Sequence, residues 1–69
     1  MTVEEADVLT QLAAERGGVL SLRDMTPRNV AIAQRMSVAT NYVRLMGGAA
    51  CRTVPGREAL EKHRAQQSK

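Results

Sequence analysis

The sequence predicts a mainly α domain with a three-helix core, a short or vestigial β element and a C-terminal helix. Three observations lead there. Apolar residues recur at helical spacing within residues 2–16 and 28–46, glycine pairs at 17–18 and 47–48 punctuate the chain, and 69 residues with one Tyr, no Phe and no Trp supply one modest core. A chain this short hides only about 60% of the surface its unfolded form exposes. A single domain over residues 1–66, followed by a disordered tail at 67–69, is therefore expected. Cys51 has no second cysteine to pair with, and Cys51 with His63 falls short of the four ligands of a structural zinc. No metal or cofactor is expected, and self-association as a homodimer is the remaining support for so small a core.

Thr2 followed three residues later by Glu5 has the spacing of a capping box, and further acids in the first turn meet the helix dipole. The helix that starts there carries Val8, Leu9, Leu12 and Ala13 on one stripe, extended by Val3 and Ala6, and Gly17-Gly18 ends it. Residues 19–22 suit a brief strand or an extended link. Thr26-Pro27 marks the next start, since Thr caps well and Pro is tolerated at the first helical position. Between 28 and 46, Ile32, Met36, Ala39, Val43 and Met46 follow a spacing that fits one long helix or two helices joined by a turn. Gly47-Gly48 ends whichever it is, residues 49–54 are weakly strand-like, and Pro55-Gly56 turns into a last helix over 57–66 with Ala59 and Leu60 as its apolar contacts.

Charge is divided unevenly. Four acids against Arg16 leave residues 1–16 at −3, whereas nine bases against three acids leave residues 17–69 at +6. Eight of the ten cations are arginine, whose planar fork suits phosphate and guanine; a GC-rich genome is the other source of such a bias. No apolar run nears the ~20 residues that span a bilayer, and the chain opens on acids instead of a basic segment before an apolar one. A cytoplasmic protein with no membrane contact is the expectation.

Ile32 and Ala33, Met36, Ser37, Val38, Val43 and Met46 stand at the spacing of the helix-turn-helix motif, and the segment resembles that of bacterial and phage regulators. Thr53-Val54-Pro55-Gly56-Arg57-Glu58-Ala59-Leu60 further resembles the run after the wing in MarR-type winged-helix domains. The resemblance implies a winged helix-turn-helix-like fold with a reduced wing, a turn at Ser37, and Val38, Val43 and Met46 in the core. It also implies a recognition helix near residues 39–46. That helix would turn Thr40, Asn41 and Arg44 toward base edges of double-stranded DNA, while Arg28, Arg35 and Arg52 meet phosphates. The function implied is transcriptional regulation of bacterial or phage type. The alternative is a small phage-type adaptor or inhibitor that binds a host protein complex through its acidic first helix or a Met-bearing surface.

Other residues read plainly. Met25, Met36 and Met46 fill gaps in a core without large aromatics. Tyr42 braces helix packing or touches a sugar-phosphate, Cys51 is a small packing residue more than a thiol activated by Arg52, and His63 is a solvent-facing helix residue. The glycine pairs lack phosphate-loop spacing, and Ser21, Asp24 and His63 form no local catalytic motif, so no catalytic residue is assigned and no enzyme is expected.

Overall fold

Helix α1 (Val3–Ala13) opens on the expected capping box: the Glu5 N–H donates to Thr2 Oγ1 at 3.1 Å, and the Thr2 N–H donates to the Glu5 carboxylate at 2.9 Å. Its buried stripe is Ala6, Val8, Leu9 and Leu12, while Val3 stands exposed. In this computed structural model, which describes residues 1–67, a 3-10 turn (Arg16–Gly18) leads to β1 (Val19–Ser21), and a second 3-10 turn (Leu22–Asp24) leads to α2 (Pro27–Ala39). Then follow β2 (Val43–Met46), β3 (Ala49–Arg52) and α3 (Val54–Gln67). The three strands form one antiparallel sheet in the order β1-β3-β2.

Helix α2 begins as the sequence requires, with Thr26 Oγ1 accepting from the Asn29 N–H and Pro27 in the first turn, where its missing donor costs nothing. It is one helix through Ser37, with no turn there, and it stops at Ala39. Thr40 stops it. The Met36 carbonyl, which already accepts the Thr40 N–H at 2.9 Å, also accepts the Thr40 hydroxyl at 2.7 Å, and that hydroxyl accepts the Tyr42 N–H at 3.2 Å, so the side chain bridges the helix end and the next turn.

Residues 43–46 are thus a strand and not the end of a recognition helix. The reason lies in the next residues: Gly47 and Gly48 both take positive φ, as a two-residue type I′ hairpin demands, and Met46 pairs with Ala49 directly across that loop. Forming β2 buries Val43 and half-buries Leu45, which a helix through Met46 would not do on the same face. The β hairpin is accordingly complete, with four residues on each arm, instead of vestigial. Met46 is 56% exposed and Val38 is 89% exposed, so neither joins the core expected of it.

The last helix begins three residues earlier than expected and takes Pro55 and Gly56 into its first turn. It continues through Gln67, so of the expected tail only Ser68 and Lys69 remain, and these lie outside the described residues. The core joins Ala6, Val8, Leu9 and Leu12 of α1 to Ile32, Ala33 and Met36 of α2, with Met25, Val43, Ala50 and Leu60 closing it. Met25 and Met36 do fill it; no buried polar side chain lies among the described residues. No helix among them is long and apolar enough to cross a membrane.

Candidate nucleic-acid interface

The residues expected to read bases do not share a helix face. Thr40 caps α2 and spends its hydroxyl on Met36 and Tyr42. Asn41 is exposed in the link, its carbonyl accepting from Thr53 Oγ1. Arg44 is exposed on β2. Because side chains alternate along a strand, Arg44 and Met46 leave the sheet opposite to Val43 and Leu45. Arg52 pairs with Val43 and Cys51 with Arg44, so the Arg44 and Arg52 side chains depart from opposite faces. Arg52 is half-buried and lies across Gly18, where an added Cβ would stand 3.2 Å from the Arg52 Cβ.

An exposed helical face lies on α2. Pro27, Ala31, Gln34, Arg35 and Val38, at helical spacing, are all exposed, opposite the buried Ile32, Ala33 and Met36. Gln34, Ala31 and Val38 escaped sequence reasoning because the apolar pattern was aligned one helix too late. The signal that locates them correctly is the Gly-Gly pair flanked by Val43-Arg44-Leu45-Met46 and Ala49-Ala50-Cys51-Arg52, two short runs at hairpin spacing.

Helix α1 packs along one flank of this face. Gln11 Oε1 accepts from Asn29 Nδ2 at 3.0 Å, a part-buried bond that fixes one helix against the other. Farther along the same contact, Arg28 and Arg35 each place a terminal nitrogen 3.8 Å from the Glu4 carboxylate. These pairs are long and their side chains are half or more exposed, so each stabilises the fold little.

No family model, curated protein or solved structure matches the chain. Function is read from this geometry and charge.

After β3, Thr53 ties the hairpin to α3. Its N–H donates to the Tyr42 carbonyl at 3.2 Å, its hydroxyl donates to the Asn41 carbonyl, and that same hydroxyl accepts the Gly56 N–H at 3.1 Å as the cap of α3. Gly56 is buried so tightly that a Cβ there would lie 2.2 Å from the Tyr42 carbonyl oxygen. Two shallow recesses flank this seat. One of about 220 Å³ is lined by Met1, Tyr42, Ala59, Lys62, His63 and Gln66, and one of about 110 Å³ by Arg52, Thr53, Val54 and Arg57. His63, expected in solvent, is half-buried beside the first of them. Cys51 is likewise half-buried, on the outer face of the sheet beside Arg44.

Proposed function

We propose that the chain is a winged-helix-like DNA-binding regulator of bacterial or phage type, and that it presents α2 to the major groove. The observation that carries this reading is the exposed face of α2 leading directly into the β2–β3 hairpin, with Arg28 and Arg35 on the helix and Arg44 on the first hairpin strand. A major groove about 12 Å wide admits one α-helix. In this reading the hairpin serves as the wing, and the turn Leu22–Asp24 stands where the first arm of a helix-turn-helix would be. Gln34 is placed for adenine, Arg35 for guanine or a phosphate, and the methyl groups of Ala31 and Val38 for thymine. Arg28 and Arg44 meet the backbone on either side, and Asn41 lies at the exit of the helix. One such module grips DNA weakly, so it works as a homodimer on paired half-sites.

Fluorescence anisotropy with a random duplex at low salt tests this. Binding in the 10⁻⁶ to 10⁻⁴ M range that weakens steeply with salt is expected, together with a loss of site preference in Gln34→Ala. No binding at 50 mM salt and about 100 μM protein overturns it. The protein-adaptor reading draws on one specific observation, the 89% exposure of Val38 between Ala31 and Ala39, which suits an apolar groove on a partner. Binding to such a partner would persist at salt concentrations that abolish DNA binding.

A further inference from the structure

We propose that Glu4 acts as an internal stand-in for a DNA phosphate: its carboxylate occupies the anion site formed by Arg28 and Arg35, and DNA binding through α2 requires its displacement. The inference rests on the DNA-binding reading for its partner, but the anion site itself stands on geometry.

Arg28 and Arg35 are seven residues apart, about 10.5 Å along the helix, yet a single carboxylate meets both. Glu4 Oε1 lies 3.8 Å from Arg28 Nη2, and Glu4 Oε2 lies 3.8 Å from Arg35 Nη2. One anion with two terminal oxygens and unit charge is thus shared between two guanidinium groups. A phosphodiester offers the same pair of oxygens and the same charge, which is why arginine forks serve both carboxylate and phosphate.

Glu4 is held at this place by its backbone. The capping box through Thr2 and Glu5 fixes the first turn of α1, and the Gln11–Asn29 bond, two turns farther along α1, fixes that helix against α2. Its grip on the arginines is loose by contrast. Charge-assisted N–H···O⁻ bonds close at about 2.7–2.9 Å, and these contacts are a full ångström longer, between side chains that are 50–68% exposed. An incoming phosphate that forms proper forks therefore displaces the carboxylate, which has solvent to move into. The consequence is a discount on every complex: unselective binding at the backbone must first outcompete Glu4, whereas a complex that also gains base contacts tolerates the loss.

Glu4→Gln keeps the size and helix position of the side chain and removes its charge. It is expected to raise affinity for random duplex roughly 3- to 10-fold, the range two weak surface pairs allow, and to steepen the plot of log affinity against log salt by up to about two units. The same substitution in an Arg28→Ala/Arg35→Ala background is expected to give less than a 2-fold gain. Asp7→Asn, an equal change of charge at an exposed position of α1, is expected to do the same in the wild-type background. Equal gains from Glu4→Gln and Asp7→Asn, or a Glu4→Gln gain that persists without the two arginines, overturn the proposal, since a general charge effect then suffices. A second readout separates this failure from failure of the DNA reading. Inorganic phosphate titrated into ¹⁵N-labelled protein is expected to move the Nε–H resonances of Arg28 and Arg35 together, at several-fold lower concentration in Glu4→Gln. If that occurs while no variant binds duplex, Glu4 still covers an anion site and the DNA reading alone falls. If those resonances respond alike in both proteins, the occlusion by Glu4 is refuted.

Discussion

Two of the contacts between elements in this molecule, the seat of α3 and the charged flank of α2, are built from opposite materials. The seat of α3 rests on main-chain carbonyls: the Thr53 N–H and hydroxyl donate to the Tyr42 and Asn41 carbonyls, the same hydroxyl accepts the Gly56 N–H, and Gly56 approaches Tyr42 too closely for a side chain. The flank of α2 is side chain against side chain, with Glu4 reaching Arg28 and Arg35 at 3.8 Å in solvent. At the seat, residue identity is dictated by the path of the chain. Along the flank no such constraint acts, because the side chains are half or more exposed. Close contacts to main-chain carbonyls fix the path of the chain, whereas the loose, exposed charges of the flank do not.

The largest effect that probes this contrast is expected from Gly56→Ala. Alanine favours a helix over glycine by about 1 kcal/mol, so a stabilised protein would follow if the seat were roomy. The Cβ instead meets the Tyr42 oxygen at 2.2 Å, and α3 must back away, breaking the Thr53–Tyr42 bond. Overpacking of this kind costs about 1–3 kcal/mol or more, against a total of ~3 to 5 kcal/mol for a domain this small. Thermal unfolding followed by circular dichroism is expected to show a broad, early transition, and a wild-type melting temperature would mean that the seat yields.

Thr53→Val comes next. It keeps the branched shape and removes the hydroxyl that both caps α3 and donates to the Asn41 carbonyl. A loss of about 1–2 kcal/mol is expected, mostly recovered by Thr53→Ser; urea titration of the three proteins checks the order. Across the flank, Asn29→Ala removes the part-buried bond to Gln11 and is expected to cost about 1 kcal/mol in the same titration. A larger loss than that of Thr53→Val would reverse the ranking of the two contacts.

These residues also show what was legible beforehand. Capping is local, so the Thr2–Glu5 box and Thr26-Pro27 announced α1 and α2 without help from the rest of the chain. Pro55-Gly56 reads as a turn before a helix, but both lie in the first turn of α3, and the reason, the Thr53 cap and a glycine pressed against Tyr42, needed the hairpin in place. Residues 37–46 misled because apolar spacing there satisfies a helix as well as a strand. What decided between them was Val43 pairing with Arg52 and Cys51 pairing with Val19, partners nine and 32 residues apart in the chain. The candidate site moved with that decision: Arg28 and Arg35 were legible as cations beside a helix, whereas Gln34 and the exposed Val38 became visible only when the helix was seen to end at Ala39.

The smallest stability effect is expected at Glu4, in the proposed anion site. Glu4 sits in the first turn of α1, where its charge favours the helix dipole, and it pairs with two arginines. Each of these contributions is a few tenths of a kcal/mol at an exposed site. Gln retains the helix position, so Glu4→Gln is expected to change unfolding free energy by no more than about 0.5 kcal/mol, and less still in 0.5 M salt, where the Debye length falls well below 10 Å. The Arg28→Ala/Arg35→Ala protein is expected to fall within about the same range, and combining it with Glu4→Gln adds nothing through the lost pairs. Urea titrations at 20 mM and 0.5 M salt measure all three. If Glu4→Gln instead costs more than about 1.5 kcal/mol and the loss survives high salt, the flank is structural in the same sense as the seat of α3. The contrast between a contact that makes the fold and one that is free to serve binding would then be gone.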